Sequence, residues 1–188
     1  KLARDAGLEI GETGAIKVNE RLQTSDPCIY AGGDCVESVS RLTGKPCYTP
    51  LGSTANKHGR IIGDNVTGGN SSFPGVLGTA IFKAFDINVG RVGLTERDCA
   101  SLGIPCLVAL TPGPDRAHYY PTARPFVLKL VSHAGDGRLL GLQAVGAGDI
   151  TKRVDVAVTV MSYGGTTRDL ADLDLAYAPP YSSAVDLL

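Results

Sequence analysis

The sequence predicts an α/β segment followed by an α+β domain built on an antiparallel sheet. Three observations carry this. A short apolar run, Cys28-Ile29-Tyr30-Ala31, stops on Gly32-Gly33-Asp34 and is followed by a helical pattern that ends near Val66. Beyond about residue 74 the pattern changes to successive strand-like runs without regular helical crossovers. Apart from a short helix started at Thr95, helical patterning returns only after those strands, the order expected of an α+β domain rather than of alternating β and α units. A length of 188 residues is enough for one large domain or two small ones.

Residues 1–7 read as the end of a helix stopped by Gly7, and residues 15–18 alternate as a short strand opened by Gly14. The apolar run 28–31 is expected to be a buried parallel strand, and 41–50, with its Gly and Pro, a loop. Ser53 or Thr54 is placed to cap a helix running to about Val66. Ala55, Gly59, Ile62 and Val66 share one face of it, and Gly68-Gly69 end it. Residues 70–75 form the best linker candidate, so that 1–73 and 74–188 are the expected domains. Residues 79–85 and 87–94 read as adjacent strands. Thr95 is an N-cap with Asp98 at the capping-box position. Strands follow at 106–111, 126–132 and 139–145, with Gly135-Asp136-Gly137 as the turn between the last two. Asp149 or Thr151 opens a helix through Met161. No internal repeat or low-complexity tract interrupts the chain.

Composition narrows the function classes. A formal net charge of -1 gives no electrostatic reason to expect nucleic acid or an anionic membrane as partner. No apolar run approaches the roughly 20 residues of a membrane span, and the first residues do not form a charged-then-apolar signal peptide. Hydrophobic residues make up 43% of the chain, sufficient for a packed core. The five cysteines are an odd number without a C-x-x-C, which favours a reduced, cytoplasmic setting over a disulfide framework.

Two segments carry chemistry in the first half. An aspartate that follows a strand and two glycines is suited to accept hydrogen bonds from cofactor hydroxyls, because Gly32 and Gly33 let the backbone approach closely. The same eleven residues, 24–34, are equally compatible with a plain strand-to-loop turn. The stretch from Pro50 through Leu51, Gly52, Ser53 and Thr54 to Lys57 starts a helix whose unpaired N–H groups and positive dipole end would stabilise negative charge. Alone it reads as an ordinary helix start. In series, Tyr30-Ala31-Gly32-Gly33-Asp34 and 51–60 resemble the second flavin motif and flavin-facing helix of the pyridine nucleotide-disulfide oxidoreductases. The resemblance covers nearly the whole chain. It implies an α/β fragment of an FAD-binding domain followed by an α+β dimerisation domain with an antiparallel sheet. It also implies Asp34 at the FAD ribitol, the backbone around Gly52, Ser53 and Thr54 at the isoalloxazine, Gly33 beside the aspartate, and NAD(P)H as co-substrate. The G-x-G-x-x-G loop of that family is not seen. Gly146-Ala147-Gly148-Asp149 lacks the third glycine and puts a carboxylate where phosphate would sit, so it reads as a turn. The chain is therefore expected to be the C-terminal portion of a longer enzyme, inactive alone.

The second half, from about residue 74, resembles the dimerisation domain of the same family and implies a homodimer. Two aromatic sites stand out, His118-Tyr119-Tyr120-Pro121 and the tail 177–186. The tail holds Tyr177 and Tyr181 but no histidine. This resembles the coenzyme A-disulfide reductases and NADH oxidases with a single redox cysteine, where tyrosines of the partner subunit stand beside the active-site sulfur. Carried over, the catalytic candidates are Tyr119 or Tyr120 with Tyr177, and the substrate a disulfide or coenzyme A derivative. A phenol with a pKa of about 10 suits proton donation better than base chemistry. An aromatic interface patch explains the same residues equally well. Arg116, Arg124 and Lys152 are candidates for coenzyme A phosphates or plain solvated surface. Cys28, Cys35, Cys47, Cys99 and Cys106 read as core or loop residues, with Cys28 and Cys35 flanking one strand end. The three histidines lack metal-ligand spacing. The alternative to an oxidoreductase portion is a non-catalytic dimerisation module; a reductase component for a ferredoxin-like or nitrite-reducing system is weaker, because the tail is rich in tyrosine.

Overall fold

The computed structural model describes residues 1–188, which form two compact units, Lys1–Val76 and Leu77–Leu188. In the first unit a short helix α1 (Leu2–Asp5) is followed by Gly7 at φ 76°. The strand expected at 15–18 is reduced to bridges from Ile16, antiparallel to Ile10 and parallel to Val36. The run 28–31 is not a buried parallel strand. Asp26 accepts the Cys28 N–H on its carboxylate (2.8 Å) and the Ile29 N–H on its carbonyl (3.0 Å). The chain thus turns back, Tyr30 bridges Gln23 antiparallel, and Cys28 stays exposed. Local Asx-turn chemistry at Asp26-Pro27 overrides the apolar run that follows it. Around the expected loop 41–50 the structure adds a small hairpin of β1 (Ser38–Val39) and β2 (Pro46–Cys47).

The helix expected from residue 53 is α2 (Gly52–Val66), but its N-cap is Leu51, and neither Ser53 nor Thr54 caps it. Its buried face is also rotated from the expected one. Thr54, His58 and Asn65 are buried, whereas Gly59 and Val66 are exposed. The reason lies in what packs against it, an irregular backbone with groups to satisfy. His58 Nδ1 accepts the Gly33 N–H at 3.0 Å. Asn65 donates to the carbonyls of Arg21 (3.0 Å) and Ser71 (2.9 Å) and accepts the Ser71 N–H (2.9 Å). These bonds, and the Phe73 N–H donated to the Glu20 carbonyl, tie the linker candidate 70–75 to the first unit.

The second unit is a five-stranded, wholly antiparallel sheet in the order β3 (Ala80–Ala84), β4 (Ile87–Gly93), β7 (Leu139–Gly146), β6 (Pro125–His133), β5 (Cys106–Pro114). The expected strands are all present, with β5 and β6 extending to Pro114 and Pro125, so that 115–124 becomes the tip of a long hairpin. Helix α3 (Glu96–Leu102) follows β4, and the Thr95–Asp98 capping box forms as read. Helix α4 (Thr151–Ser162) has Ile150 as N-cap and packs on β7 and β4. A second capping box, Thr166 with Asp169, opens α5 (Thr167–Ala171), a short helix that the sequence reading did not include.

One sheet face carries Val92, Leu128, Leu142 and Ala144, which are buried with Val154, Ala157, Val160 and Met161 of α4. Gly90 lies under that helix, where an added Cβ would stand 2.9 Å from Val154. Beside this layer Cys99, Val131 and Leu140 pack with Leu94, Ile104 and Cys106. Gly93 combines φ 71° with a position where a Cβ would be 2.2 Å from the Leu140 carbonyl oxygen, so no other residue fits without moving β7. The opposite sheet face is left open, with a shallow concavity of about 370 Å³ lined by Phe82, Val89, Leu110, Val127 and Val145.

Leu142→Ala removes a fully buried side chain and is expected to destabilise the second unit by ~3 kcal/mol. Gly93→Ala should cost at least about as much, through backbone strain rather than lost burial. Denaturant unfolding followed by circular dichroism checks both.

Candidate functional site

In the first unit the expected cofactor-binding residues lie on two adjoining elements. Gly33–Cys35 is a single 3₁₀ turn, and Gly33 starts it at φ 78°. Gly32 sits where a Cβ would be 2.8 Å from Ile62 and 3.0 Å from His58, both of α2. The two glycines therefore have a packing reason, since they bring the turn against the helix. Asp34 projects from that turn with an exposed side chain, and its carbonyl accepts the Tyr48 hydroxyl at 2.9 Å. Gly52 and Ser53 at the start of α2 are exposed, and no side chain caps them. A 15-residue helix thus begins with free N–H donors at its positive end. Thr54, by contrast, is buried. A glycine-closed turn, an exposed carboxylate and uncapped amide donors suit a group that carries hydroxyls and negative charge.

His58 lies behind this surface, 1% exposed. It accepts from Gly33 on Nδ1, so its proton is on Nε2, a buried atom without a hydrogen-bond partner. The ring meets Phe73 edge-on, with centroids 4.3 Å apart. Burial lowers the His58 pKa, as expected where no anion is near to compensate.

In the second unit the tip 115–124 carries Tyr119 and Tyr120, and the tail carries Tyr177. Tyr119 and Tyr177 are brought together. The nearby Tyr177 phenol, ahead of burial, raises the Tyr119 pKa above its ordinary value. His118 stacks edge-on to Tyr119, with centroids 5.5 Å apart. Both phenols are solvent-facing, Tyr119 at 65% and Tyr177 at 50% exposure. Tyr120 is half-buried and has a different setting; its N–H and carbonyl close turns to Ala117 and Ala123. Two protonated phenols side by side make a proton-donating pair at neutral pH, with little capacity as a base.

The tip and tail rest on a charged cluster. Asp115, 2% exposed, accepts from Arg116 Nε (3.1 Å) and Nη2 (2.9 Å) and from the N–H groups of Arg124 and Asp149 (3.0 Å each). Burial pushes the Asp115 pKa up, but these four donors outweigh it and bring it to about 2. Arg153, 1% exposed, forms a bidentate pair with Asp186 of the tail (Nε–Oδ1 3.0 Å, Nη2–Oδ2 2.7 Å). It also donates to the carbonyls of Asp149 and Asp115 and lies 5.2 Å from the centroid of the Phe126 ring. Of the basic residues considered for phosphate, Arg116 donates to the Pro180 carbonyl, Lys152 to the Tyr181 carbonyl and Arg124 to the Ala123 carbonyl. Two of the three therefore hold the tail. The sequence reading did not single out Asp115, Arg153 or Asp186. One signal was present: Arg153 occupies the apolar stripe of α4, between Ile150 and Ala157, where an unpaired cation is not tolerated.

The five cysteines are free thiols. Burial, with the neighbouring Cys106 thiol, pushes Cys99 up to about 11, which leaves it inert as a nucleophile. Cys35 donates to the Gly32 carbonyl at 3.4 Å. No three His, Cys, Asp or Glu side chains converge as metal ligands, and no helix is long and apolar enough to cross a membrane.

Both units match one family. Residues 79–188 match the pyridine nucleotide-disulphide oxidoreductase dimerisation domain, and residues 1–58 the pyridine nucleotide-disulphide oxidoreductase domain. The chain belongs to the pyridine nucleotide-disulphide oxidoreductase family. Among its relatives, an NAD(P)H sulfur oxidoreductase (CoA-dependent) of Pyrococcus furiosus is 44% identical over 188 residues, all of this chain and 42% of that protein. A coenzyme A disulfide reductase of Staphylococcus aureus is 32% identical over all of this chain and 43% of its own length. A solved NAD-dependent persulfide reductase from A. fulgidus superposes with a TM-score of 0.96 at 52% identity, over 99% of this chain and 35% of that one. The chain thus spans about two fifths of the curated relatives it matches.

The buried His58 gives a pH test. Its folded pKa is depressed below the unfolded value of 6.5, so the unfolded chain binds the extra proton. Stability from this group is complete above pH about 6.5 and falls as the pH drops below that value. Thermal melts of the chain between about pH 7.5 and 5 should show a declining Tm. In His58→Gln the decline over this window should flatten, at a lower Tm overall.

Proposed function

We propose that this chain is the C-terminal portion of an FAD-dependent NAD(P)H oxidoreductase that reduces disulfide-type sulfur, coenzyme A disulfides or related persulfides among them. The observation that carries the reading is the pair Tyr119–Tyr177 on a dimerisation domain whose tail has no histidine. Relatives named for coenzyme A and sulfur substrates match along the whole chain. Residues 1–73 are the end of the FAD-binding domain, and 74–188 the domain that forms a two-fold homodimer in the cytoplasm.

Bound FAD would supply the two-electron relay between NAD(P)H and sulfur. Asp34 would hold its ribitol hydroxyls, with Gly33 giving the backbone room. The N–H groups of Gly52, Ser53 and Thr54 would face its ring and favour negative charge there. Tyr119 and Tyr177 would stand at the partner subunit's sulfur and donate a proton to the departing thiolate; Tyr120 has the weaker case, being half-buried and outside the pair. Donation is the role for which two protonated phenols are suited.

A second reading, oxygen as the electron acceptor, is favoured by a 36% identical NADH oxidase of Methanocaldococcus jannaschii.

The test uses the flavin-loaded full-length enzyme. Asp34→Ala should lower flavin retained per subunit. Tyr177→Phe should keep flavin and dimerisation and slow disulfide reduction by roughly 100-fold or more, in the range of general acid catalysis. Full turnover by the Phe variant would leave Tyr177 as an interface residue.

A further inference from the structure

The tip and the tail are far apart in sequence, and each carries one phenol of the pair. The guanidinium of Arg116 links them. Arg116 is three residues from Tyr119, and its guanidinium is used in two directions. Nε and Nη2 form a fork on the buried carboxylate of Asp115, at 3.1 and 2.9 Å. Nη1 donates to Thr122 Oγ1 at 3.2 Å, inside the tip, and to the Pro180 carbonyl at 3.0 Å, inside the tail. Asp115 also closes the base of the tip, through its own N–H to the Arg124 carbonyl and its carboxylate to the Arg124 N–H. The Pro180 carbonyl lies in the turn of the tail where the N–H groups of Tyr181 and Ser182 fold back on the Ala178 carbonyl, at 2.8 and 3.1 Å. That turn follows Tyr177 directly.

We propose that Arg116 is a positioning residue that fastens the turn after Tyr177 to the hairpin tip carrying Tyr119, so that the two phenols meet. The planar fork is what the task requires. Its two edges bind Asp115 and Pro180 at once, and the buried carboxylate fixes the plane in which Nη1 points. Lysine at this position would keep a charge beside Asp115, but one ammonium on a flexible stem would not hold both in a fixed geometry. Thr122 takes part by orienting Nη1 within the tip. Lys152 holds the tail at Tyr181, and Arg153 joins Asp186 to the base of the tip at the Asp115 carbonyl, whereas Arg116 fastens the turn at Pro180, next to Tyr177.

The role assigned to Arg116 rests on the reading of Tyr119 and Tyr177 as a working pair, but its test is independent of turnover. Arg116→Lys keeps the charge that Asp115 needs. In this 188-residue chain, hydrogen exchange at the amides of Tyr181 and Ser182 should become roughly 10- to 100-fold faster, while β6 and β7 amides keep their protection. A tyrosinate absorbance titration should show the high-titrating phenol returning toward its ordinary value, and Tyr177→Phe should show the same return. Unchanged tail exchange and an unchanged titration would overturn the proposal. If the lysine variant loses β6 and β7 protection as well, the unaltered chain decides. Nuclear Overhauser contacts from Arg116 guanidinium protons to Pro180 or Tyr181 support the fastening, and their absence overturns it. In the full-length enzyme, Tyr177→Phe with unaltered turnover would remove the catalytic reading of the tyrosines and leave the fastening by Arg116 standing.

Discussion

The second unit depends on a buried arginine that its sheet and helix do not neutralise by themselves. Arg153 is 1% exposed on the apolar face of α4, and its counter-charge comes from Asp186, 33 residues away near the C-terminus. A guanidinium buried without a carboxylate would cost several kcal/mol, so the fold of α4 onto the sheet and the docking of the tail are one event. Asp115 extends the same constraint to the hairpin. It is buried beside Arg116, and every bond to its carboxylate comes from the start of the tip, the end of the tip or the turn before α4. Three segments that share no regular hydrogen bonding are thereby held by two carboxylates and two guanidinium groups. The tail can keep Tyr177, Tyr181 and Val185 exposed for this reason, since its attachment does not rely on burying them.

The first unit solves the opposite problem. It has little sheet of its own, and its irregular backbone must find partners elsewhere. Helix α2 supplies them by turning polar side chains inward. Asn65 serves Arg21 and Ser71, and His58 serves Gly33. This leaves the helix start free of caps and the Gly32-Gly33-Asp34 turn pressed against the helix, so that an exposed carboxylate and unpaired amide donors lie on neighbouring elements. The buried Nε2 of His58 is the residual cost of that arrangement.

Much of this was legible in the sequence. The strands of the second unit, the Thr95–Asp98 box and the long helix ending near Val66 follow from periodicity and capping chemistry, which are local. The resemblance carried by Tyr30-Ala31-Gly32-Gly33-Asp34 and by the tyrosine tail gave the family. What escaped depends on long-range pairing. The run 28–31 looked like a core strand because hydropathy does not register the Asx turn at Asp26. The face of α2 was misjudged because a polar buried stripe has no hydrophobic period. Arg116 and Lys152 read as surface or phosphate ligands because each reaches a backbone carbonyl of the tail, which no composition reveals. Arg153 stood in an apolar stripe and marked a buried ion pair, but its partner was not identifiable without the fold.

The central claim, that the buried Arg153–Asp186 pair couples the helix to the tail, is tested most directly by a double-mutant cycle. Unfolding free energies are measured for the unaltered chain, Arg153→Met, Asp186→Ala and the double variant. The account predicts that each single substitution costs about 3 kcal/mol or more, and that the two are coupled by at least about 1.5 kcal/mol, the double variant losing much less than the sum. Additive losses, with a coupling near zero, would contradict it.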